Sequence, residues 1–129
     1  MANYTTINKS SDYFNTVLWS GNSTTNTAIT GVGFQPDFLW LKQRTSTQSH
    51  QVLDAIRGAN NILNSDTTAA AVADTEIVNS FDSDGFTLGH QDQSNDTGHT
   101  YVGWNWKAGT TSGVDFSSGD ITPTAYSIN

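Results

Sequence analysis

The sequence predicts an all-β protein, a β-sandwich of jelly-roll or lectin-like type. Three observations lead there. Apolar and aromatic runs are short and separated by polar turn residues, apolar residues at helical spacing are scarce, and turn signals recur roughly every 8–12 residues. With 129 residues and no cysteine, one domain with a single core is expected, its stability resting on packing or on neighbouring subunits.

The first strand is expected over residues 13–19, which run into the small turn-forming residues Ser20-Gly21-Asn22. A shorter strand follows at 27–30. Pro36 cannot donate to a ladder, so it marks the entry to the next strand, 38–42. The apolar residues Phe38, Leu39, Trp40 and Leu41 occupy both faces of that strand, which places it inside the sandwich or against a subunit. Residues 49–54 are its expected partner, and Arg57-Gly58 turns the chain into a short run at Ile62-Leu63.

Residues 67–73 hold the only stretch of good helix formers, but without firm caps or a long apolar stripe, so at most a helical turn is expected there. Residues 76–81 and 86–89 bracket Asp82-Ser83-Asp84-Gly85, the clearest hairpin turn in the chain, with Gly85 supplying a positive φ. The last strand, 100–107, alternates cleanly. It sets Val102, Trp104 and Trp106 on one face and Tyr101, Gly103, Asn105 and Lys107 on the other. Trp104 and Trp106 are expected to anchor the core, with Asp54 and Gly85 as further structural residues. The sandwich module is expected to span residues 1–109, followed by a Gly/Ser/Thr-rich linker and C-terminal segment over 110–129.

The net charge of −7 and a charged fraction of 13% leave solubility to hydroxyls and amides. Five Lys and Arg residues are too few to build a phosphate-contacting surface, so no nucleic-acid partner is expected. No segment approaches the roughly 20 apolar residues of a bilayer span, and membrane insertion is not expected. If the protein works outside a cell, it is expected to leave by lysis or assembly.

Chemistry-bearing patterns are sparse. Asp82-x-Asp84-Gly85 has the opening of a calcium loop but no acidic residue at the bidentate position, which favours a structural hairpin over a weak ion site shared with Asp92 or Asp96. His50, His90 and His99 are dispersed, no Gly-x-Ser-x-Gly elbow occurs, and phosphate-loop and zinc spacings are missing. No catalytic residue, metal site or cofactor is therefore expected. Three of the five basic residues, Lys42, Arg44 and Arg57, cluster beside an aromatic strand. Trp40, Lys42 and Arg44 share a side if extended, an arrangement suited to stacking sugars or meeting an acidic surface. With His50 and Arg57 they form the candidate ligand-binding set. The competing reading pairs Arg57 with Asp54, or Asp37, to fix a corner of the fold.

The order of these motifs resembles a known module. The succession Gly33-Phe34-Gln35-Pro36-Asp37-Phe38-Leu39-Trp40-Leu41-Lys42-x-Arg44, then His50, Asp54-x-x-Arg57-Gly58, Ser80-Phe81-Asp82-Ser83-Asp84-Gly85-Phe86-Thr87-Leu88-Gly89 and Tyr101-Val102-Gly103-Trp104-Asn105-Trp106-Lys107-Ala108-Gly109 is similar to a β-rich module of marine and cyanobacterial tailed-phage virion proteins, tail-fibre-like ones among them. Tyr4-Thr5-Thr6 and Tyr13-Phe14-x-Thr16-Val17-Leu18 extend the likeness over nearly the whole chain. The resemblance implies a virion location and a lectin-like sandwich, and it brings no catalytic residue with it. The function expected is a tail-fibre or spike module binding host-surface glycan without catalysis. Alternatives are a capsid-decorating or head-fibre protein and, third, a polysaccharide depolymerase fragment. Partners would be other virion proteins and further copies of the chain, three copies if it sits on a fibre.

Overall fold

The computed structural model describes residues 9–108. Within them, nine strands alternate with turns: β1 (Phe14–Ser20), β2 (Thr27–Ile29), β3 (Phe38–Gln43), β4 (Gln51–Asp54), β5 (Asn61–Asn64), β6 (Val72–Ala73), β7 (Val78–Asp82), β8 (Gly85–Leu88) and β9 (Thr100–Trp106). All pairings are antiparallel. One sheet has six strands in the order β1-β9-β3-β4-β5-β6, and the other has three in the order β2-β8-β7. The all-β sandwich expected from short runs and frequent turns is present.

The core lies between the sheets. Leu39, Leu41, Leu53, Ile62 and Tyr101 of the larger sheet meet Val78, Phe86 and Leu88 of the smaller one, with Val32, Phe34 and Ile77 closing the margins. β3 shows how the sequence chooses its inner face: Leu39, Leu41 and Gln43 are buried, while Phe38, Trp40 and Lys42 are half-buried on the other side. In this strand the aliphatic side chains face the gap between the sheets, and the aromatic ones are left outside. The expectation that both faces of this strand would be covered therefore holds for only one of them.

The expected orientation of β9 is reversed. Its alternation is as read from the sequence, but Tyr101, Gly103 and Asn105 point inward and are buried, whereas Trp104 is half-buried and Trp106 is 37% exposed. The two tryptophans do not anchor the core. The space beneath Gly103 is already filled, because a Cβ there would lie 3.2–3.3 Å from Leu39, Phe86 and Trp19. Trp19 of β1 fills that space instead, stacked on Tyr101 at 5.6 Å and edge-on to Phe86.

The β7–β8 hairpin forms as expected, with Asp82 opposite Gly85. Gly85 has φ +147°, and any side chain there would collide with the Ile29 carbonyl oxygen. The helical turn allowed for at 67–73 is not formed; Val72–Ala73 instead pairs with β5 as β6. A single helical turn occurs at Asp92–Asn95, where no helix was expected. Trp19 and Tyr101 hold it: the Trp19 indole N–H donates to the Ser94 carbonyl at 2.9 Å, and the Tyr101 hydroxyl donates to the Asp92 carbonyl at 2.7 Å. The expected linker and C-terminal segment at 110–129, and the Tyr4-Thr5-Thr6 motif, lie outside the described residues.

Candidate functional site

Strand register arranges the outer face of the larger sheet in rows. Phe14, Trp106, Phe38 and Asp54 are successive cross-strand partners in one row, and Thr16, Trp104, Trp40 and Val52 in the next. A third row contains Leu18, Val102 and Lys42. Cross-strand partners on one face are in direct contact, so the odd-even parity of three strands collects five aromatic rings on one patch. Trp106 lies 4.9 Å from Phe14 and 5.2 Å from Phe38 between ring centres, and Trp40 lies 5.8 Å from Trp104. The planes are inclined to one another by 52–70°. Tilted rings make walls, and the patch is accordingly dimpled.

Two depressions result. One, about 370 Å³, is lined by Trp40, His50, Trp104 and Trp106. The other, about 440 Å³, is lined by Asp37, Phe38, Ala55, Ile56, Trp106, Lys107 and Ala108. Trp106 is common to both, so they adjoin. Each volume sits at the low end of the range of small-molecule sites, ~300–1,000 Å³. In the first depression the Trp40 indole N–H donates to His50 Nδ1 at 3.2 Å, which fixes one wall. In the second, Asp37 is committed to the fold: its Oδ2 accepts from the Ala108 backbone N–H at 2.7 Å, and its own N–H donates to the Trp106 carbonyl at 2.9 Å.

Of the five candidate ligand-binding residues, the structure brings Trp40 and His50 together on this patch and sends the three cations elsewhere. Lys42 follows Trp40 on the same face of β3, but its ammonium is engaged by three backbone carbonyls, of Gln43 at 2.7 Å, Ser46 at 3.1 Å and Gln48 at 2.7 Å. An ammonium has three donors, and here all are used to shape the loop after β3. Arg44 lies beyond the end of β3, exposed, so the expected Trp40/Lys42/Arg44 face does not form as a unit.

Arg57 is likewise internal. Its Nε donates to Asp54 Oδ2 at 2.6 Å, and its guanidinium reaches the carbonyls of Asn61 at 3.2 Å and Val52 at 3.3 Å. The Asp54–Arg57 pair fixes the corner between β4 and β5, as the competing structural reading has it. Partial burial pushes the Asp54 carboxyl up, but hydrogen bonds from the Arg57 backbone and side chain together with its charge outweigh this, and the carboxyl is held below its ordinary value. Asp84 is also held low, because it accepts the backbone N–H groups of Gly31 at 3.0 Å and Gly33 at 2.6 Å. Asp82 is satisfied by the hydroxyls of Ser80 and Thr87. Among the described residues no group of three or more His, Asp or Glu side chains is placed to hold a metal ion.

Sequence reasoning missed Trp104 and Trp106 as site residues because it assigned indoles to the core by default. A partial signal was available in the contrast within β3 and β9: β3 carries Phe38 and Trp40 at one parity and Leu39 and Leu41 at the other, and β9 carries both indoles at one parity and Tyr101, Gly103 and Asn105 at the other. The thinner set is the one that can lie between two sheets packed ~10 Å apart.

A family model described as Domain of unknown function (DUF7483) matches residues 9–129. No curated protein and no solved structure matches the chain.

Proposed function

The chain belongs to the DUF7483 family, and we propose that it is a virion module, of a tail fibre or spike, that binds host-surface glycan without catalysis. The observation that supports this reading is the outward cluster of Trp40, Trp104 and Trp106 on a sheet face, with two adjoining depressions of ligand size. Indole faces carry negative quadrupole density that attracts the slightly positive axial C–H groups of a sugar ring. Aromatic patches of this kind on a soluble surface mark interaction sites rather than packing. Each site is shallow, so affinity per copy is weak, and several copies on one particle would multiply it. The supporting site shifts from the expected Trp40/Lys42/Arg44 face to Trp40/Trp104/Trp106 with His50.

The test is binding of the purified protein to host cells, with and without Trp104→Ala, alongside its location and copy number on intact virions. Few copies at fibre tips and loss of cell binding in the variant are the expected results. Unchanged cell binding by a folded Trp104→Ala protein would sink the proposal.

One observation favours a second reading, a capsid-decorating protein. β1 is an edge strand whose Phe14 and Leu18 are 38% and 63% exposed, and it has neither proline nor charge to discourage pairing with a neighbour. A regular array over the head would establish that reading and displace the first.

A further inference from the structure

Among the described residues the two sheets end in four free edges, and three of these are protected. β6 is two residues long and runs into Asp74, and β2 is three residues long. β7 is bulged between Val78 and Ser80 and ends on Asp82. Short strands, bulges and charges are the devices that keep a sheet edge from recruiting another strand. β1 has none of them. It is seven residues long, keeps one register with β9 from Phe14 to Ser20, and holds neither charge nor proline.

The backbone of β1 is set for pairing on its open side. The Tyr13 carbonyl accepts the Lys107 N–H at 2.8 Å, and the Gly21 N–H donates to the His99 carbonyl at 2.9 Å, so the odd-numbered residues between them turn their peptide groups to β9. In an antiparallel ladder the alternate residues turn theirs the other way. Phe14, Thr16, Leu18 and Ser20 therefore direct N–H and C=O groups at the open edge, and theirs are the exposed side chains of the strand. Of these groups, only the Thr16 N–H is bonded among the described residues, to Asn15 Oδ1 at 2.9 Å.

We infer that this edge pairs with the same edge of a second copy of the chain, β1 against β1, antiparallel about a two-fold axis at Val17. The interface goes beyond the glycan-binding reading and does not depend on it. The strand is complementary to itself in full overlap. Phe14 then stands opposite Ser20 of the second copy and Thr16 opposite its Leu18, so each bulky outer side chain meets a small one. The diagonal neighbours of Leu18 become Leu18 and Phe14 of the second copy, which cover a side chain now 63% exposed. Charge points the same way. Copies of a chain with net charge −7 repel one another, but β1 and its outer-face partners Trp106, Trp104, Val102 and Thr100 bring no charge to this contact. Asp12, just before the strand, is already paired with Lys9 at 3.3 Å. Each copy has one unprotected edge, so the pairing closes at two rather than growing into a fibre. The product is a continuous sheet that presents both aromatic patches on one face.

The experiment is sedimentation equilibrium of the whole chain, joined to a cysteine reporter that the cysteine-free sequence makes unambiguous. At the two-fold axis the two copies of Val17 form a non-hydrogen-bonded pair, with Cα atoms ~4.5 Å apart and within disulfide range. The expected results are a mass twice that of the chain and cross-linking of Val17→Cys on oxidation. Val72→Cys, 57% exposed on the protected β6 edge, should stay uncross-linked under the same conditions. Leu18→Lys, at a solvent-facing position that leaves the core intact, should raise the dimer dissociation constant about tenfold or more. A monomeric mass at ~1 mM protein overturns the inference. So does an assembly of any size that Leu18→Lys leaves intact and in which Val17→Cys does not cross-link.

Discussion

The indole N–H of Trp40 donates to Nδ1 of His50 at 3.2 Å, with the rings 5.7 Å apart and inclined by 55°. This bond joins a residue of β3 to one just before β4, and it holds a half-exposed side chain in one orientation. An aromatic wall that is held before the ligand arrives costs less ordering on binding.

His50→Ala should therefore weaken ligand binding several-fold while changing stability by no more than about 1 kcal/mol, the usual net worth of a partly exposed hydrogen bond. Anisotropy of tryptophan emission, measured together with a binding titration, checks this. A variant with unchanged anisotropy and affinity would show that the β3–β9 packing alone positions Trp40.

Removing Trp104 and removing Leu41 should have opposite signatures. Leu41 is fully buried between the sheets, and Leu41→Ala should cost about 2–5 kcal/mol. Trp104→Ala lies on the outer face and should cost less in denaturant unfolding while eliminating cell or sugar binding. If Trp104→Ala proves the more destabilising of the two, the patch belongs to the structural core and not to a site.

Gly103→Val should be destabilising by about 1–3 kcal/mol or more, since even a Cβ at this position lies within 3.2–3.3 Å of Leu39, Phe86 and Trp19. The pressure falls on the residues that keep β9 close to the smaller sheet. A lowered midpoint in urea is the expected reading, and a midpoint equal to that of the parent would mean that the sheets can move apart freely.

Asp54 and Asp84 set the acid limit. Both carboxyls are held below their ordinary value near 3.8 in the folded state, so the unfolded chain takes up protons first as pH falls. Their contribution to stability is fully present above the unfolded value and is lost as pH drops from about 4 through the folded values. Asp54→Asn should remove about 1–2 kcal/mol at neutral pH, because it leaves the half-buried Arg57 guanidinium without its charged partner. It should also flatten the acid limb of the stability profile. Urea midpoints at several pH values between neutrality and pH 3 check both points, and a limb identical to that of the parent would show that other carboxyls govern it.

Lys42 illustrates why the basic island was misleading. Three cations within a short stretch of an acidic chain look like a surface awaiting an anion, and spacing alone supports that view. Two of the three have partners made available by turns: the carbonyls of Gln43, Ser46 and Gln48 for Lys42, and the Asp54 carboxylate with the Val52 and Asn61 carbonyls for Arg57. The alternative pairing of Arg57 with Asp54 was visible in the i,i+3 spacing at a strand end. The carbonyl cage around Lys42 was not, because it depends on the path of a loop.

Local chemistry determined much by itself. Eight strands, all but β6, and the Asp82–Gly85 turn were legible because β-branched and aromatic runs, proline and glycine act through backbone sterics that need no distant partner. Parity along β3 and β9 was equally legible, since it follows from the two-residue period of any strand. Only the tertiary structure decided which parity faces inward, the six-plus-three division of strands, and the helical turn at Asp92–Asn95 that Trp19 and Tyr101 hold in place. These depend on how closely two sheets approach. At Gly103 that approach leaves little room even for a Cβ, and Trp104 and Trp106 face outward on the same side of the sheet as Trp40.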